Sequence, residues 1–136
     1  MKVLVIGLGE FGRTIAEELT DLSVEVVGID HDETVINSIK ERISFAYIMD
    51  ATRHDALLEL PLKEMDCAIV AIGRSMESSL RIVAALKENG LEKIYARAID
   101  STHCSILKAM GIENILEPEK LAAKAYARDV NVIHVV

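Results

Sequence analysis

Gly7, Gly9 and Gly12 are spaced as G-x-G-x-x-G directly behind the apolar run Val3 to Ile6, and an acid, Asp30, closes a second apolar run, Val24 to Ile29. In that context the triplet is a diphosphate cradle. The first glycine makes the tight strand-to-helix turn, the second lets backbone approach the anion, and the third lets the helix pack on the strand. The opening turn of the helix adds unpaired N–H groups and the positive end of its dipole. A carboxylate at Asp30 accepts hydrogen bonds from both ribose hydroxyls and repels a 2′-phosphate, which favours NAD or an adenine nucleotide over NADP. The plainer alternative is a glycine turn without a ligand, with Asp30 and His31 only preceding a helix that Asp32 caps ahead of Val35, Ile36, Ile39 and Ile43.

Positioning those residues takes alternating elements. Short runs rich in Val, Ile and Ala predict strands near 2–6, 24–29, 45–49, 67–72, 94–98 and 114–116, each suited to burial on both faces. Between them lie amphipathic segments, with apolar faces Phe11, Ile15, Leu19 and Leu22, then Val35 to Ile43, then Leu80, Val83, Ala84 and Leu86. Ser75 and Ser101 stand where N-caps belong, and Gly90 and Gly111 where left-handed C-caps belong. Right-handed crossovers then give an α/β fold, a Rossmann-type doubly wound parallel sheet in a single domain, 1–136, with ligands at the carboxyl ends of the strands. That edge also receives Asp50-Ala51-Thr52, Ala71-Ile72-Gly73 and Arg97. Asp50 and Thr52 suit an adenine edge or ribose, or else a turn capping the next helix; Arg97 suits phosphate, or else an ion pair on the sheet edge. Beyond the fifth strand, Ile106, Leu107, Met110, Ile112 and Ile115 exceed what one small helix needs, and predict that some of them form a surface for a second copy, or else that all of them complete the monomer core.

The 136 residues are 51% hydrophobic, enough to bury one core, and the formal charge of −7 argues against a nucleic-acid backbone or an anionic membrane surface as main partner. Cys67 and Cys104 lack C-x-x-C spacing and read as reduced thiols of a cytoplasmic protein. No run reaches the length of a membrane span and no signal peptide opens the chain. The four histidines, His31, His54, His103 and His134, are scattered, with no triad pattern. A dehydrogenase cofactor domain is the competing reading, but the nucleotide fold consumes nearly every residue and leaves no substrate domain. No basic helix-turn-helix supports a repressor.

The chain resembles the TrkA-N (KTN) domain, the N-terminal nucleotide-binding part of RCK regulators of potassium conductance, of the kind found in bacterial potassium uptake regulators. The residues that carry the resemblance are Val5-Ile6-Gly7-Leu8-Gly9-Glu10-Phe11-Gly12, Asp30, Asp50-Ala51-Thr52, Ile69-Val70-Ala71-Ile72-Gly73, Arg97-Ala98, and Gly111 followed by Pro118-Glu119-Lys120. The resemblance implies a regulatory ligand sensor without catalytic residues. Its cofactor is NAD(H) or an adenine nucleotide (ADP, ATP or AMP), with a divalent cation accompanying the phosphates. The implied binding residues are Gly7, Leu8, Gly9, Glu10, Phe11, Gly12, Asp30, His31, Asp50, Ala51, Thr52, Ala71, Ile72, Gly73, Arg97 and Glu119. Glu119 matches an acid that reaches toward bound phosphate, and otherwise complements the helix start near Pro118. Glu10 stands where ATP-responsive relatives often carry an arginine. Implied partners are a second copy in a homodimer, a higher, octameric ring, and a membrane potassium transporter or channel that holds the protein at the inner face of the membrane without insertion. Full subunits continue into a C-terminal RCK ligand domain absent from these 136 residues, and Val132 to Val136 would begin the linker strand.

Overall fold

The computed structural model describes residues 1–133. Six parallel strands, β1 (Lys2–Ile6), β2 (Glu25–Asp30), β3 (Phe45–Ile48), β4 (Cys67–Val70), β5 (Ile94–Arg97) and β6 (Asn114–Leu116), lie in the order β3-β2-β1-β4-β5-β6. The order reverses between β1 and β4, so a crevice opens at their carboxyl ends, where Gly7 leaves β1 and Ala71 leaves β4. Helices α1 (Glu10–Asp21), α2 (Glu33–Ile39), α3 (His54–Leu57), α4 (Met76–Glu88), α5 (Ser101–Ala109) and α6 (Pro118–Val132) connect and follow the strands. The two faces of the sheet carry separate cores, one around Leu4, Ile29, Leu57, Ile82, Leu86 and Leu107, the other around Val3, Val5, Leu8, Val26 and Ile39.

Local chemistry sets the helix ends. Gly90 and Gly111 have φ of +85° and +86°, and each closes its helix with a paired return of amides: Gly90 to Lys87 and Leu91 to Leu86, Gly111 to Lys108 and Ile112 to Leu107. Ser75 caps α4 by accepting from the Ser78 amide at 3.1 Å. Ser101 does not cap α5. Asp100 does, accepting from the His103 amide at 2.8 Å, because a carboxylate one residue earlier supplies the acceptor and Ser101 becomes the first helical residue. Ile43 falls beyond α2 and reaches the core from the loop, which must turn before β3 starts at Phe45; Leu22 is the exposed C-cap of α1.

Most of the apolar set beyond β5 is used inside the monomer, with Ile106 left partly exposed and outside both cores. Leu107 and Ile112 are buried, and Met110 and Ile115 pack against the same core, because α5 packs on β6 beside α4, which covers β4 and β5. The unpartnered apolar surface lies instead on α6, which buries no residue. Val132 ends that helix where a linker strand is expected, and residues 134–136, His134 among them, lie outside the described residues.

His103, one of the four scattered histidines, is fully buried in the first turn of α5. Its Nδ1 accepts from the Ile99 amide at 2.9 Å, which places the proton on Nε2, 3.1 Å from Ser79 Oγ on α4. The ring thus pins the segment that follows Arg97. Burial pushes its titration below the ordinary range, with Asp100 partly opposing. The unfolded chain therefore takes up the proton first, and stability falls as pH drops below about 6.5. His103→Gln should flatten the decline in melting temperature between about pH 7 and pH 5, while costing about 1–3 kcal/mol near neutrality. An unchanged slope would assign the decline to other groups.

Candidate functional site

The turn after β1 holds Gly7 at φ +91°, with its amide donating to the Ile29 carbonyl at 2.9 Å. Helix α1 then starts with Gly9 as an N-cap that offers no side-chain acceptor. The amides of Glu10, Phe11 and Gly12 have no carbonyl behind them in the helix, so the turn presents donors and a positive dipole end. A Cβ added at Gly9 would meet nothing within 4 Å, so the space above those donors is open. Gly12 is the opposite case: a Cβ there would collide with the Gly7 carbonyl oxygen and lie 3.1 Å from Ala71 Cβ. Leu8 turns its side chain into the core and contributes backbone only.

Asp30 ends β2 with both carboxylate oxygens engaged. Oδ2 accepts from the Leu8 amide at 2.8 Å and Oδ1 from the Asp32 amide at 2.9 Å, so the acid ties the glycine loop to the end of β2. Asp32 itself caps α2, accepting from the Thr34 amide at 2.9 Å. Each Asp30 oxygen keeps a further acceptor site, since a carboxylate offers about four lone-pair positions. His31 lies exposed beside it, Nδ1 at 3.7 Å from Oδ1.

Two adjoining chambers share Gly7, Asp30, His31, Ile72 and Arg74. The larger, about 480 Å³, lies over the start of α1 and is also lined by Gly9, Glu10, Phe11, Ala71, Gly73 and Arg97. The smaller, about 340 Å³, extends over β3 to Asp50, Ala51 and Thr52. Ile6, Ile29, Met49 and Ile82 give it apolar walls, and Asp50 and Thr52 a polar rim, a combination suited to a flat heteroaromatic base. Asp50 is already turned inward on its own loop, accepting from the Thr52 amide at 3.0 Å and hydroxyl at 2.6 Å, which hold it below the usual carboxylate range.

Arg97 and Glu119 come together as an ion pair joining the end of β5 to the first turn of α6. The guanidinium lies 5.2 Å from the Phe11 ring centroid, and Gly73 makes room for it: a Cβ there would sit 2.9 Å from Nη1. The Glu119 carboxyl is held low, first by its own amide at the helix start and then by Arg97. Glu119 lines neither chamber, and Leu8 and Gly12 lie beneath them.

The TrkA-N domain model matches residues 3–118. The chain belongs to the TrkA-N family. The Ktr system potassium uptake protein C of Bacillus subtilis is 36% identical over 126 residues, 93% of this chain and 57% of that protein, so the chain spans little more than half its length. Among solved structures, the Kef CTD of Shewanella denitrificans in AMP-bound form superposes with a TM-score of 0.80 at 24% identity, covering 98% of this chain and 82% of that one. The GsuK channel bound to NAD gives 0.71 at 15% identity over 85% of this chain and 21% of that one.

In this TrkA-N domain the smaller chamber is also lined by Met49, Arg74 and Ser78, which the sequence pattern does not mark, and by Ser75, which it marks only as a cap. Position was the available signal, since Arg74 and Ser75 follow Gly73 at the carboxyl end of β4. Among the described residues no cluster of three His, Cys, Asp or Glu side chains is placed to hold a metal, and no helix is long and apolar enough to cross a membrane.

Proposed function

We propose that this TrkA-N domain is the nucleotide-sensing part of a regulator of potassium transport, binding NAD(H) or an adenine nucleotide (ADP, ATP or AMP) and passing its occupancy to a membrane transporter or channel. One observation carries the reading: the uncapped start of α1 and the Asp30 carboxylate line a single open cleft at the reversal of strand order. Phosphate sits on the helix amides, the ribose hydroxyls on Asp30, and the base in the chamber walled by Ile29, Met49 and Ile72. A divalent cation, where one accompanies the phosphates, takes its ligands mainly from them. The relatives are proteins of potassium systems, and two similar folds are described with AMP and with NAD bound. The domain works in the cytoplasm at the inner face of the membrane, as a homodimer within a ring. Nucleotide acts by contacting two arrangements of the paired domains unequally, since equal affinity shifts nothing.

A thermal-shift comparison of NAD, NADH, NADP, ATP, ADP and AMP tests this directly, because a ligand of the folded state raises stability with its concentration. NAD(H) or ADP should stabilise more than NADP(H), and tighter binding of NADPH than NADH would sink the ribose assignment. Asp30→Ala should cost on the order of 1–3 kcal/mol of nucleotide affinity, read by titration calorimetry. It should also lower the melting temperature, because the Leu8 amide loses its acceptor. Unchanged affinity would leave Asp30 as a loop tie alone.

A further inference from the structure

Among the described residues that line the two chambers, the acids are more numerous than the cations, and most are committed. Asp30 holds two amides, Asp32 caps α2, and Asp50 closes its own turn with Thr52. Glu10 stands in the first turn of α1, beside the donors that would receive phosphate. Arg97, the cation whose place on the sheet edge suits phosphate, is neutralised by Glu119 and laid over Phe11. A single phosphate can be satisfied by the helix amides alone. A second one enters a region where Glu10 repels it and Arg97 is already paired.

Arg74 is the remaining cation. It is exposed, it lines both chambers, and among the described residues it makes no ion pair and no side-chain hydrogen bond. It follows Gly73 at the carboxyl end of β4 and precedes Ser75, the cap of α4, so its backbone is fixed at the junction of the chambers while its side chain is uncommitted. The Ser75 cap satisfies the Ser78 amide. The α4 turn is therefore less free than α1 to serve an anion through its backbone, and the side chain supplies the charge. A guanidinium fork donates in parallel to two phosphate oxygens, so once the α1 amides hold one phosphate, Arg74 is the uncommitted donor left for the next.

We propose that Arg74 selects for nucleotides with a diphosphate, ADP or the diphosphate bridge of NAD, over AMP and adenosine. This rests on the nucleotide reading above and assigns the phosphate-counting residue within it. Exposed and unpartnered, Arg74 contributes little to folding, so Arg74→Ala should keep the wild-type melting temperature without ligand.

Calorimetric titration of wild type, Arg74→Ala, Arg74→Lys and Asp30→Ala with adenosine, AMP, ADP and NAD tests the assignment. Arg74→Ala should weaken ADP and NAD by about tenfold or more, as loss of a charge-assisted phosphate contact would, and AMP and adenosine by less than about threefold. Arg74→Lys should restore part of the ADP affinity, because the charge returns without the fork. Equal weakening of all four ligands, or no change with ADP, would overturn the proposal. If wild type binds ADP and Asp30→Ala weakens it while Arg74→Ala does not, the assignment of Arg74 fails and the nucleotide reading stands. If wild type binds none of the four, both fall.

Discussion

Gly12→Ala should lower the melting temperature sharply, while Gly9→Ala, three residues away in the same motif, should keep the fold and lose nucleotide. At Gly12 the added methyl meets the Gly7 carbonyl oxygen, and both belong to backbone fixed by the sheet and by α1. Relief requires moving the helix off β1 and β4, and the methyl is also 3.1 Å from Ala71 Cβ on the far side. Overpacking of this kind, against backbone with no side chain to yield, costs about 3 kcal/mol or more, a large part of the stability of a domain this size. Gly9 has ordinary extended backbone, φ −67° and ψ −171°, and open space where the methyl would go. A methyl there occupies the position from which phosphate approaches the amides. Circular-dichroism melting and ADP titration of the two variants separate the effects. A Gly12→Ala that melts as wild type does, or a Gly9→Ala that binds ADP as wild type does, would contradict the roles given to the loop.

Much of this was legible in the chain because it depends on near neighbours. A glycine triplet, four apolar residues and an acid some twenty positions on encode a strand, a turn, a helix and a second strand within one local unit, and the strands fall within a residue or two of expectation. The glycine C-caps are equally local. What could not be read depends on residues the fold brings together from afar. Arg97 and Glu119 are 22 positions apart, and whether each serves a phosphate or the other is decided by where α6 starts relative to β5. His103 is 24 positions from Ser79, and nothing in a helix-start context signals that its ring is buried between two elements. Gly28 lies in the middle of β2, and its need appears only when Leu8 and Ile43 are seen at 3.0 and 2.7 Å from an added Cβ. Ser23 adopts φ +67° in the closing turn of α1, a place where glycine would have marked the turn. The division of the apolar surplus has the same origin: the sequence shows apolar residues in and after α5, but not that Leu107 and Ile112 reach the core while Ile106 stays partly exposed.

That surplus bears on assembly, where the second large effect is expected. Along α6, Ala122, Tyr126, Val130 and Ile133 recur at helical spacing with Leu121 and Ala125 beside them, and none touches a core: Leu121 is 74% exposed and Tyr126 69%. A stripe of this kind, carried by a helix that buries nothing, is what a second copy of the domain would cover. Wild type should therefore sediment as at least a dimer at tens of micromolar, and Leu121→Asp with Tyr126→Asp should raise the dissociation constant by about tenfold or more, as loss of central apolar anchors does. The monomer's own core loses no contact in that variant, so its folded signature in circular dichroism should persist. Nucleotide should shift the same equilibrium, because the Arg97 and Glu119 pair ties the base of α6 to the edge of the phosphate chamber, and charge arriving beside that pair changes how firmly it seats α6. By linkage, whatever change in association ADP produces must be matched by the change in ADP affinity that association produces. Sedimentation and small-angle scattering with and without ADP, ATP and NADH decide the matter. A strict monomer, unaltered by every nucleotide, would remove the mechanical basis for coupling occupancy of the cleft to a membrane partner through α6.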